Sequence, residues 1–181
     1  MFSQEPAPLG GFVKFMTTFA FIMFAVMIVG FLFFIILLSS QEPSFAVFMA
    51  IFVVVFGGLA ALTLWICYRQ KPRAYKVMNG ELVVERAAPW KDIHVSLSDI
   101  KSVESLPKIS LFSLRLWGNG GLFCVSGTFY SFKLGKYRAS VTSIRDLLLI
   151  RYGKKALIIS PAEPISFKME LERLMGMKPT G

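Results

Sequence analysis

Two long apolar runs stand at the front of this chain and limit what the rest of it can be. From Phe12 to Tyr68 the sequence is hydrophobic apart from Lys14 and one polar break, Ser39-Ser40-Gln41-Glu42-Pro43-Ser44. The stretches Phe15 to Leu38 and Phe45 to Tyr68 each hold 24 residues without a charge. At 1.5 Å per residue each makes roughly 36 Å of helix, more than the ~30 Å hydrocarbon core of a bilayer. Buried helices of soluble proteins rarely stay apolar on all sides for this length. The runs therefore read as a transmembrane helical hairpin, with spans at about 13–38 and 45–68 inside residues 1–73. A cleaved signal peptide does not fit the first run. No basic cluster precedes it, its apolar core is too long, and a second run follows at once.

Lysine and arginine near the ends of spans set orientation. The break at 39–44 has none, whereas Lys14 precedes the first run and Arg69, Lys71 and Arg73 follow the second. Both termini are thus expected to be cytoplasmic, with the short acidic linker outside. Trp65 and Tyr68 stand where an interfacial aromatic belt belongs. Gly57, Gly58 and Ala61 give the second helix a small-residue face that fits close packing, on the first helix near Gly30 or on a second copy. Neither core holds an acidic, basic or histidine side chain, which argues against a transporter.

The remainder is a different kind of sequence. Hydrophobic residues make up 55% of the chain and its mean hydropathy is +0.60, but this excess sits in the two runs. Residues 69–181 carry 19 of the 20 Lys and Arg and 9 of the 11 Asp and Glu. Such a balance favours anionic partners, and a tethered basic domain meets anionic lipid first. Of the two cysteines, Cys67 ends the second run and Cys124 lies in the later part, so a disulfide between them is not expected.

From residue 74 onward, short strand patterns alternate with turns. Tyr75 to Met78 and Glu81 to Arg86 flank Asn79-Gly80, the strongest short hairpin signal. Ile93, Val95 and Leu97 share one face of a third strand, Ser98-Asp99 turns the chain, and Ile100 to Leu106 reads as a fourth. Pro107 to Gly121 is irregular, and Gly118-Asn119-Gly120-Gly121 reads as a flexible turn. The apolar residues before it, from Leu111 to Trp117, fit a short helix or a segment touching the bilayer surface. A phosphate loop is rejected, because no Lys-Ser/Thr and no helix signal follow the glycines. Leu122 to Phe132 reads as a strand, with Gly127 a bulge or a close backbone approach. Tyr137 to Thr142, Leu147 to Tyr152 and Ala156 to Ser160 read as three more. A helix begins at about Pro164: Phe167, Leu171, Leu174 and Met175 form its apolar stripe, Lys168 and Glu172 pair on its wet side, and Gly176 stops it. The fold class is α+β: the hairpin, then a small antiparallel β-barrel or sandwich closed by a C-terminal amphipathic helix.

A strand meander closed by one such helix resembles the pleckstrin-homology (PH) superfold. In particular it is similar to bacterial PH-like domains that follow two transmembrane helices. Three stretches carry the resemblance: Leu97-Ser98-Asp99-Ile100-Lys101-Ser102-Val103; Gly127-Thr128-Phe129 through Gly135-Lys136-Tyr137-Arg138; and Ile158-Ile159-Ser160-Pro161-Ala162-Glu163-Pro164 with Phe167. They place a PH-like domain at residues 74–176, with 177–181 as a tail. The resemblance implies a bacterial cytoplasmic-membrane protein that binds a partner and is not an enzyme. Eukaryotic PH domains commonly read phosphoinositides through a basic first loop. Here that turn is the short, uncharged Asn79-Gly80.

Catalytic and metal chemistry find little support in the residues. His94 is the only histidine and alternates with Ile93 and Val95 toward water. No second histidine or nearby cysteine completes a metal site, and no Gly-x-Ser-x-Gly elbow occurs. No cofactor is expected. The binding candidates are basic: Arg69, Lys71 and Arg73 at the helix exit; Lys133, Lys136 and Arg138 around one turn; Arg151, Lys154 and Lys155 around another. Nucleic acid is disfavoured, since aromatic residues are not interleaved with these. The expected function is a membrane-anchored adaptor that recognises anionic lipid, a protein partner or another copy of itself. The alternative is a small structural subunit of a larger membrane complex, assembled through the hairpin.

Overall fold

A computed structural model describes residues 2–39, 43–108 and 114–176. Linker residues 40–42, the apolar Leu111-Phe112-Ser113 and the tail at 177–181 lie outside the described residues. Two helices, α1 (Gly11–Ser39) and α2 (Pro43–Arg69), form the hairpin. Both are long and apolar enough to cross a membrane, and the most apolar window of each is left uncovered by the protein. Phe31 and Phe52 meet between them with ring centroids 5.5 Å apart.

The rest is two sheets and a helix. Strands β1 (Phe2–Gln4), β2 (Pro72–Met78), β3 (Glu81–Arg86) and β4 (Ile93–Ser96) form an antiparallel sheet in that order. Strands β5 (Ile100–Lys108), β6 (Leu114–Gly120), β7 (Val125–Ser131), β8 (Gly135–Val141), β9 (Arg145–Tyr152) and β10 (Lys155–Ile159) form a second sheet, in the order β5-β9-β10-β8-β7-β6. Helix α3 (Pro164–Leu174) packs against it. This is an open PH-like sandwich and not a closed barrel. A 3-10 turn at Leu97–Asp99 hands the chain from one sheet to the other, and no strand is shared between them. The pairing is also not wholly antiparallel. The β9–β10 hairpin inserts beside β8, so β10 runs parallel to it.

Local chemistry explains most of these elements. Asn79 and Gly80 have φ of +53° and +76°, the left-handed pair that the type I′ hairpin between β2 and β3 requires. Strand β9 reads Leu147-Leu148-Leu149-Ile150 without alternation because both its faces are covered. Leu148 and Ile150 join Tyr75, Leu82, Ile93, Phe167 and Leu171 in the core between the sheets. Leu147 and Leu149 join Val125, Val141 and Ile158 in a second core, which Leu9, Phe12 and Val13 cover from outside. The first turns of α1 are therefore part of the domain.

One element was not anticipated and two expectations need correction. The segment before α1 is built into the domain. β1 pairs with β2, the Ala7 N–H donates to the Ser160 carbonyl at 2.8 Å, and the Gly10 N–H donates to the Thr142 carbonyl at 3.0 Å. Period-two patterning cannot show in three residues, which is why this strand is invisible in the sequence. Gly118 to Gly120 belong to strand β6 and are not a flexible turn. Gly118 and Gly127 face each other across β6 and β7. A Cβ on Gly118 would stand 2.2 Å from the Ser126 oxygen, and one on Gly127 2.1 Å from the Trp117 oxygen. The glycines are there because the two backbones nearly touch. Lys168 and Glu172 do pair, at 3.7 Å, but Glu172 is only 4% exposed. Leu174 is the exposed residue instead, so the buried face of α3 is rotated toward Phe167, Leu171 and Glu172.

Gly127→Val would combine that backbone clash with a φ of +144°. We expect a loss of about 2 kcal/mol or more in the unfolding free energy of the domain, measured by denaturant titration of the purified chain in detergent.

Candidate functional site

The junction between hairpin and domain is built around the turn from Gly121 to Cys124. Asn119, buried at the end of β6, accepts the N–H groups of Gly121 and Leu122 on Oδ1, at 3.1 and 3.0 Å. Its Nδ2 donates to the Leu122 carbonyl and, at 3.7 Å, to the Cys124 sulfur. The turn so held presents Phe123 at φ +61°, a conformation that costs a bulky residue on the order of 1–3 kcal/mol. Both helices hold it there. Thr17 Oγ1 accepts the Phe123 N–H at 3.0 Å, and the Phe123 ring meets Phe21 of α1 and Tyr68 of α2 edge-on, at 6.2 and 5.4 Å. Cys67 and Cys124 are both free thiols. Burial pushes the Cys124 thiol up to about 12. The folded protein therefore keeps that proton. The stability this contributes is complete below the free-thiol range and is lost as pH rises through about 12. We expect Cys124 to resist maleimide at neutral pH in the folded chain and to label readily once the domain is denatured. Ready labelling before denaturation would show that this turn opens.

The basic candidates separate into three places. Arg69, Lys71 and Arg73 line an open groove of about 520 Å³ at the exit of α2, facing Glu5 to Pro8 of the amino-terminal segment. Arg69 is tied down there: its Nε donates to the Ala88 carbonyl at 2.8 Å and its guanidinium lies 5.4 Å from the centre of the Trp65 ring. Lys133 and Lys136 flank the β7–β8 turn, and Lys154 and Lys155 the β9–β10 turn. Because β8 and β10 are parallel neighbours, both turns lie at the same end of the six-stranded sheet. It is the end opposite Thr142 and the Gly121–Cys124 turn, where the sheet meets the amino-terminal segment and the helices. Phe132, in the β7–β8 turn beside Lys133, is 97% exposed, with Tyr130 at 6.1 Å and exposed Leu114 across the strand pair from Tyr130. The Gly153 N–H bonds the Asp99 carbonyl, so one acidic residue borders this end. Arg151 is apart from the group, on the sheet surface, where it pairs with Glu104 at 3.2 Å.

Arg138 is in the third place, a cavity of about 190 Å³ between the sheets. There it shares the walls with Arg86 of β3, Trp90, Gln70, Ser126 and Thr128. Sequence reasoning missed Arg86, Trp90 and Gln70. Their meeting depends on how the two sheets face each other, and no local pattern encodes it. Gly57, from the small-residue face, lines a gap against α1, while Gly58 and Ala61 face outward. His94 faces water as expected and bonds Glu81 at 2.9 Å through Nδ1. Among the described residues, no group of three His, Cys, Asp or Glu could hold a metal.

A family model described as the bacterial PH domain matches residues 73–175. The chain belongs to that family, which is typically a non-catalytic binding module. Neither the curated proteins nor the solved structures contain a match.

Proposed function

We propose that this chain is a membrane-anchored adaptor whose PH-like domain stands at the cytoplasmic face and binds an acidic protein partner through the end of the sheet remote from the helices. The observation that carries this reading is that the turns bearing Lys133, Lys136, Lys154 and Lys155 lie side by side at one end of the sheet through the parallel β8–β10 pair, with the exposed Phe132 in one of them. An exposed aromatic at a basic end of a sheet has the make-up of an interface anchor: the ring fills a pocket, and the lysines select a surface of opposite sign. Supporting the cytoplasmic placement are the Lys and Arg flanking both spans on the domain side, and the linker that has none. Arg69, Lys71 and Arg73, at the helix exit, hold that orientation and contact anionic headgroups there, worth about 1 kcal/mol each near the surface.

Photocrosslinking in native membranes tests this. A crosslinking residue in place of Phe132 should give adducts with an acidic protein, and Lys133→Glu with Lys154→Glu should abolish them. The same group in place of Val54, which faces out of the hairpin, is the comparison. Protein adducts at Val54 with none at Phe132 would overturn the proposal and favour a subunit assembled through its helices.

A further inference from the structure

The cavity between the sheets carries a separate conclusion. Arg86 comes from β3 and Arg138 from β8, so each sheet sends one guanidinium to the same space of about 190 Å³. Among the described residues neither forms an ion pair with a carboxylate. Asp92 uses its Oδ1 to accept the backbone N–H of Arg86 at 2.7 Å. One arm of the Arg86 guanidinium donates to the Lys91 carbonyl, which fixes the group in place. Its Nε is buried and has no hydrogen-bond partner among the described residues, and the same holds for Trp90 Nε1 and Gln70 Oε1. Leaving such atoms buried and unsatisfied is unfavourable. All three belong to residues lining this one cavity. Turned about its last bond, the Gln70 amide presents an N–H in place of its oxygen. Burial, and then the neighbouring Arg138, lower the proton affinity of Arg86, and Asp92 offsets this only in part.

The missing complement is an anion with several acceptor oxygens. Ser126 and Thr128 add hydroxyls to the wall, and the cavity is smaller than the roughly 300–1,000 Å³ of pockets for drug-sized ligands. It therefore suits one compact anionic group. Two guanidiniums match the charge of a phosphate monoester and the fork geometry of its oxygens. Gln70 directly follows the last residue of α2, so the cavity adjoins the level at which that helix leaves the bilayer. We infer that this cavity is a phosphate-binding site, with Arg86 and Arg138 clamping a phosphomonoester and Trp90 and Gln70 completing its hydrogen bonds. The phosphate of a membrane lipid and a free phosphate share this chemistry.

The full chain in nanodiscs separates these sources. In phosphatidylcholine discs, inorganic phosphate is titrated while the thermal midpoint of the domain is followed. In a second arm, discs containing phosphatidic acid are compared with phosphatidylcholine discs, without added phosphate. A rise in the midpoint in the first arm identifies a free phosphate, and a rise in the second arm alone identifies the lipid. Arg138→Gln is the informative variant, because Arg138 makes no hydrogen bond or ion pair among the described residues and its loss leaves the fold intact. It should weaken the response roughly ten- to a hundredfold. Lys101→Gln, exposed on β5 at the far edge of the sheet, should leave it unchanged. No rise in either arm, or an equal loss in Arg138→Gln and Lys101→Gln, would overturn the inference. The remote-end proposal is untouched by either result, since it concerns different residues.

Discussion

The hydrogen bonds of residues 2–10 decide how this protein is assembled. A chain that leaves a membrane helix through a short linker usually carries its domain loosely. Here the segment before α1 adds a strand to the first sheet, bridges Pro6 to Pro161, and bonds Ser160 and Thr142 through Ala7 and Gly10. Thr142 returns a bond from its hydroxyl to the Ala7 carbonyl. Ser160 Oγ accepts the Thr142 N–H at 2.9 Å, and the Tyr75 hydroxyl donates to the Ser140 carbonyl at 2.8 Å. One buried polar network thus joins the amino-terminal segment, both sheets and the approach to α3. Burial at this point is tolerated because its groups find partners.

The same residues make the domain and the hairpin one body. Val13 and Phe12 complete the outer core of the six-stranded sheet, and Phe123 is held between Phe21 and Tyr68. The chain is fixed to the helices from both directions: α1 grows out of the domain core, and α2 feeds β2 through Arg69 to Pro72. A fixed mount gives the two ends of the sheet different surroundings. Arg69, Lys71 and Arg73 stay at the helix exit, while Lys133, Lys136, Lys154 and Lys155 are held at the other end. The basic residues that looked like one class in the sequence thereby become groups in different surroundings.

Much of this was legible beforehand. The hairpin showed in two uncharged runs, the PH-like domain in its strand and turn signals, and α3 in its proline start and apolar stripe. These features are local, and local chemistry sets them. What escaped was non-local. β1 is too short for a pattern, and β6 carries glycines whose purpose appears only when β7 lies against it. Thr17 looks like an ordinary polar residue in an apolar helix until Phe123 arrives from 106 positions away. The cavity was hidden for the same reason. Arg138 was noticed as a basic residue near a turn, but its partner Arg86 lies on the other sheet, and only the packing of the two sheets brings them together.

The central claim is that the domain is rigidly mounted on the hairpin. Spin labels at Phe33 in the exposed part of α1 and at Lys133 at the remote end of the sheet, in nanodiscs, measure this directly by pulsed dipolar spectroscopy. The account predicts a single narrow distance distribution that is insensitive to salt. A broad distribution, as from a domain swinging on a flexible tether, would contradict it.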